Sequence, residues 1–258
     1  MTTNLYDELD PLYRAIWGGS LHHGLWLTGH ENAVEARRNL TEKVISALPP
    51  RGTIADIGCG YGTLARELVA QFPCHLIANT NARVQASQIS AHPDLTIVPG
   101  NWLDHPLPDE SLDAAFAIES LSHFPDFDQF LSHTGPALRP GGRLVVADWF
   151  SDSGDSFLLR HLAAVGQIPR WRSFPSLVAA ASRRGLELVH SRDFSRQAAP
   201  TWTHLFGKAL LLPLRKPALL PALVTKSLRF PGLFSAFPLI RLAYQCGHLQ
   251  YRFVTLQK

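Results

Sequence analysis

Glu119 and His123 are the chemically loaded residues of "ESLSHFPD", a stretch that begins where a long apolar run stops. Imidazole is the side chain whose charge changes near neutral pH, so a carboxylate beside a histidine can manage a proton. A second stretch, "TIADIGCGYGTLAREL" (53–68), sets Gly58, Gly60 and Gly62 behind Asp56. The run before these glycines reads as a buried strand and Thr63 onward as a helix, so they sit at a strand-to-helix turn, a common ligand cradle. A dinucleotide fingerprint needs its third glycine at position 63, where Thr63 stands, and an acid closing the second strand, where the chain reads "IANTNA". A Walker loop needs a Gly-Lys-Ser/Thr ending, which is absent, and a tight turn without a ligand stays open. The third cluster is His22 and His23 in "LHHGLW". Adjacent histidines point in different directions and no spaced carboxylate or cysteine accompanies them, so no metal site is expected.

These residues need a frame. Apolar positions at helical spacing over 32–48 lead to Pro49-Pro50. The pattern then predicts strand 53–58, helix 63–72, strand 75–80, helix 82–91, strands 95–100 and 112–119, helix 126–138 and strand 143–149. Helices 156–164 and 174–184 and strands 186–194 and 249–257 follow. Such alternation predicts a doubly wound, mostly parallel α/β sheet, which binds ligands beyond the C-terminal ends of its strands. "ESLSHFPD" leaves the fourth strand at that edge. Residues 205–245 form a connection far too long for an ordinary loop, divided by prolines into short apolar pieces, and it reads as a lid over a greasy ligand.

Composition bounds the rest. A 258-residue chain with 46% apolar content can bury roughly 75% of its unfolded surface in one core, so a single domain is expected. Its parts are an N-terminal helical segment (1–50), a core (51–198), the lid (199–247) and the last strand (248–258). Cys59, Cys74 and Cys246 are scattered and odd in number, which points to a reducing, cytoplasmic setting. The polar, acidic start "MTTNLYDELD" does not look like a secretion signal. All 21 acids lie at or before Asp193 with fifteen Lys and Arg, whereas nine Lys and Arg and no acid follow. Leu, Pro and Phe dominate that basic quarter, which suits an apolar or anionic small molecule, or contact with an anionic membrane surface, better than nucleic acid.

"ADIGCGYG" resembles the S-adenosylmethionine loop of class I methyltransferases. "YRAIWGGSLHHGLW" (13–26), "GNWLDHPLPDESLDAAFAIESLSHFPD" (100–126), "LRPGGRLVVADWF" (138–150) and "IRLAYQCGHLQYRFVTLQK" (240–258) are similar to the γ-tocopherol methyltransferase-like group. The resemblance implies a Rossmann-like seven-stranded sheet with helices on both faces, an N-terminal helical cover and a helical lid inserted before the last strand. It implies S-adenosylmethionine as cofactor, S-adenosylhomocysteine as product, and acceptors such as prenylated phenols, sterol-like lipids or alkaloids. Gly58 and Gly60 would let the backbone approach the cofactor's methionine part, and Asp56 would accept from its ammonium group. Asn79 and Thr80 would take the ribose, an amide accepting one bond and donating another. Asn101 and Trp102 would meet the adenine, where relatives often carry Asp in place of Asn101. Glu119 would border the methyl group, His123 would accept the acceptor's proton, and Asp148 would orient or charge-stabilise His123. Tyr13, Trp17, His22, His23 and Trp26 would cover the substrate, with Trp149 beside it. The rivals are a non-catalytic binder of the same fold and a dinucleotide oxidoreductase, the latter disfavoured by Thr63.

Overall fold

The computed structural model describes residues 5–154 and 156–258; residues 1–4 of the expected cover lie outside them. In chain order the elements are α1 (Leu5–Ile16), α2 (Ala33–Ala47), β1 (Gly52–Ile57), α3 (Thr63–Gln71), β2 (Cys74–Thr80), α4 (Arg83–Ala86), β3 (Leu95–Pro99), β4 (Leu112–Ile118), α5 (Phe127–Ala137) and β5 (Leu138–Phe150). They continue with α6 (Phe157–Gly166), α7 (Phe174–Arg183), β6 (Glu187–Asp193), α8 (Ser195–Ala198), α9 (Pro200–Arg215), α10 (Leu220–Arg229), α11 (Ala236–Gln245) and β7 (Gln250–Gln257). The strands form one sheet in the order β3-β2-β1-β4-β5-β7-β6. β7 runs antiparallel to both of its neighbours, and the remaining pairs are parallel.

Alternation along each strand feeds two cores. Ile54, Phe116, Val145 and Tyr251 face the layer of α1, α2, α3, α9 and α11, while Ala55, Ala117, Val146 and Val254 face α5 and α7. α1 joins the first layer because Leu5, Leu9, Leu12 and Ile16 recur at helical spacing and are all buried. The strands are found close to their expected bounds, except that β5 begins at Leu138, where it pairs with Leu112. Only Arg83–Ala86 of the expected helix 82–91 is helical. Ser87 and Ser90 are weak helix formers, and Ile89 leaves the helical path to pack where a Cβ on Gly62 would meet it at 3.0 Å. Within the long connection, Pro213 lies inside the 16-residue α9 instead of breaking it.

Candidate active site

β1 and β4 are adjacent where the strand order reverses, and their C-terminal ends open into one cleft. Gly58 (φ +83) turns the chain out of β1, and its N–H donates to the Asn79 carbonyl at 2.9 Å. A Cβ on Gly58 would stand 2.4 Å from Ser120 Cβ, so here glycine is required by the neighbouring loop. Gly60 differs: at φ +57, a Cβ would meet nothing within 4 Å among the described residues.

Gly58, Gly60, Asn79, Thr80, Asn101 and Trp102 wall this cleft together with Glu119 and His123. Asp56 is buried and stands outside the wall; burial pushes its carboxyl well above the usual carboxylate range. The two-way ribose contact expected of Asn79 is corrected. Its Nδ2 donates to the Val98 and Gly100 carbonyls at 3.0 and 2.9 Å, leaving Oδ1 as an acceptor. Thr80 Oγ1 is engaged with Gln85 Oε1 at 3.1 Å, and Asn101 Oδ1 accepts from Leu103 N–H at 3.4 Å, capping a short 3-10 turn. The Trp102 ring is fully buried and donates to Thr134 Oγ1 at 3.0 Å, which commits it to the core and not to a ring contact with adenine.

Glu119 follows β4 at φ +53, a left-handed conformation costing a non-glycine residue about 1–2 kcal/mol. Its Oε1 accepts the His23 N–H at 2.6 Å and the Tyr251 hydroxyl at 2.9 Å. His23 Nδ1 is also 2.9 Å away, although its N–H is not aligned for a hydrogen bond. On the other side of that ring, Nε2 accepts from the Trp202 indole at 2.6 Å. Burial pushes Glu119 up, yet the His23 contacts outweigh it and hold the carboxyl below its ordinary value.

His123 closes a 3-10 turn (Leu121–His123), and its Nε2 lies 2.9 Å from the Tyr6 hydroxyl. Burial lowers the imidazole's pKa, against an upward pull from the Gln167 backbone and Glu119. The ring is therefore neutral near pH 7, the state a proton acceptor needs. Asp148 does not bond to it. Asp148 Oδ2 accepts the Ser122 N–H at 3.1 Å and Oδ1 the Trp149 N–H at 2.7 Å, so the carboxyl steadies the turn's main chain and not the ring.

An apolar pocket adjoins the cleft, and Tyr13, Trp17 and Trp149 are in its wall. Trp149 stacks on Trp171 at 5.8 Å, and Trp17 meets Trp202 edge-on at 5.7 Å. Three expected substrate contacts are corrected. His22 turns back to bond the His23 carbonyl at 2.8 Å, and Trp26 donates to the Glu31 carbonyl at 2.9 Å; neither is on the wall. His23 is fully buried behind Glu119, so it positions that carboxylate instead of touching the pocket.

Residues 55–146 match the family described as a methyltransferase domain. O-methyltransferase rstn1 of Aspergillus nomiae is 30% identical over 202 residues, covering 73% of this chain and 90% of that protein. The chain belongs to the class I S-adenosylmethionine-dependent methyltransferases. The methyltransferase is also 24% identical to the chloroplastic tocopherol O-methyltransferase of Arabidopsis thaliana, over 98% of this chain and 80% of the relative. It shares its fold with the cyclopropane synthase MmaA2 from Mycobacterium tuberculosis, at TM-score 0.81 and 18% identity over 99% and 95% of the two chains. Its cofactor is S-adenosylmethionine. The cleft fits that group: the open Gly60 turn admits close approach, and Asn79 Oδ1 remains as an acceptor in the wall.

Sequence reasoning overlooked Tyr6, Trp202 and Tyr251. Tyr6 lies in a stretch read only as polar, although the leucine spacing around it is helical. Tyr251 pairs in register with Trp149, and a period-2 reading of both strands would have put the two on one face.

Burial pushes the Asp148 carboxyl up to about 7; the Trp149 N–H opposes this and the Glu119 charge adds to it. An unfolded Asp releases its proton near pH 4, so the protonated Asp148 stabilises the fold at acid pH, and that stability is lost as pH rises through about 7. Relative to Asp148→Asn, which cannot ionise, the wild type is expected to lose on the order of 4 kcal/mol between about pH 4 and 7. Urea unfolding at several pH values measures this; a constant difference would mean that Asp148 is ionised throughout.

Proposed function

We propose that this methyltransferase transfers the methyl group to an oxygen, or to a ring carbon beside a phenol, of a neutral hydrophobic small molecule, with His123 as general base. The observation that carries this reading is that the cofactor cleft and the apolar pocket meet at Glu119 and His123, which belong to both walls. The cofactor supplies a methyl group already activated on sulfur, so the protein's work is alignment, exclusion of water and removal of one proton. Ionising a phenol at neutral pH costs roughly 4 kcal/mol, and a neutral imidazole at the junction offsets much of it. The acceptor's O–H takes the place of the Tyr6 hydroxyl on His123 Nε2, and the imidazolium formed faces the Glu119 carboxylate. α6, α11 and the segment before α11 supply Leu162, Leu233, Phe237 and Ile240, which suit a prenyl or other lipid-like group.

Among the described residues the pocket wall holds no Lys or Arg, and Glu119 is its single acid. A diphosphate there would be desolvated against a carboxylate with no cation to meet it. Methyl transfer from labelled S-adenosylmethionine to a prenylated phenol, a sterol, an allylic diphosphate and a small polar amine is the test. The phenol is expected to be methylated and the diphosphate not; preference for the diphosphate or the amine would overturn the reading.

A further inference from the structure

We propose that α9 and α10 form a docking surface for an anionic lipid bilayer. α10 has no fully buried residue; its Leu223 packs against the edge of the core while its other apolar side is left in water. Along it Leu220, Val224 and Leu228 recur every fourth residue, one stripe of a helix, and are 46%, 51% and 79% exposed. Leu210 and Leu214 of α9 are spaced in the same way and are 61% and 81% exposed, opposite the Trp202, Leu205 and Ala209 face that α9 buries. Leucines left in water on two successive helices mark a surface that meets something apolar.

Charge says what that is. Arg215, Lys216 and Arg229 are exposed among these leucines, and the chain has no acid beyond Asp193. The compensating carboxylate is Glu8 of α1, which Arg229 and Lys226 contact at 2.8 and 3.4 Å. A two-fold interface between copies would set this basic face against itself, whereas anionic headgroups complement it and acyl chains take the leucines. Among the described residues no helix is long and apolar enough to cross a membrane, so the geometry is that of helices lying on a surface. The segment after α10 contributes Leu233 to the apolar pocket and α11, which follows it, contributes Phe237, so docking face and pocket share one stretch of chain.

The test is co-sedimentation of the full chain with phosphatidylglycerol–phosphatidylcholine vesicles and with phosphatidylcholine alone. Binding to the anionic vesicles at low salt, weakened by added salt, is expected. The pairs Leu214→Ser with Leu228→Ser, and Arg215→Glu with Lys216→Glu, are each expected to lower it by about tenfold or more. Calorimetric S-adenosylmethionine binding unchanged in both pairs shows that they fold. The proposal fails if the wild type does not bind anionic vesicles at low salt, or if neither pair weakens binding. It also fails if light scattering finds a dimer that the leucine pair dissociates. Vesicle binding is read without turnover, so its result is separate from the identity of the acceptor.

Discussion

Replacing His123 with Ala is expected to lower turnover by about 10²- to 10⁴-fold while S-adenosylmethionine affinity hardly changes, the loss being that of a positioned general base. The residue stands at the junction of cleft and pocket, on a turn whose main chain is held by Asp148 and by Arg172, which donates to the Phe124 carbonyl at 2.6 Å. The backbone that presents it therefore survives the truncation. Because burial lowers its pKa, the acid limb of the wild-type rate profile should fall below the usual histidine value of about 6.5, and the variant should lose that limb. Single-turnover rates across pH, with calorimetry for the cofactor, measure both. Equal turnover in the two proteins would remove His123 from the chemistry and leave the alignment of the acceptor as the main source of rate.

Gly60→Leu is expected to abolish S-adenosylmethionine binding with little loss of fold. The left-handed backbone there costs a leucine about 1–2 kcal/mol, and among the described residues the new side chain meets no atom near its Cβ, so it stands in the cleft. Gly58→Ala is the contrast, since its Cβ would drive into Ser120 and fold and binding would fall together. Calorimetry and thermal unfolding on both variants separate the two effects, and cofactor binding retained by Gly60→Leu would show that the cofactor does not use this turn.

The Gly58–Gly60–Gly62 turn, the alternating strands and the basic last quarter were legible in the chain itself, because each rests on local spacing or on a count. Glycine where the backbone is left-handed, apolar residues at period 2 or 3.6, and the absence of acids beyond Asp193 need no knowledge of what lies across the fold. The same holds for Glu119 and His123, four residues apart at the end of one strand.

What surrounds those two was settled by tertiary structure alone. Tyr6, Tyr251 and Trp202 reach His123, Glu119 and His23 across 117, 132 and 179 residues of sequence, distances over which no local pattern operates. His22 and His23, adjacent in the chain, were parted by the path of the backbone, one bonded back to its neighbour's carbonyl and the other buried against Glu119. Trp26 and Trp149, both read as substrate contacts, divided in the same way: Trp26 found a partner in the nearby Glu31 carbonyl, while Trp149, paired with Tyr251 of β7, is in the pocket wall. A side chain's type limits which bonds it can make, and the packing of the sheet against α1, α9 and α11 decides which of them it does make.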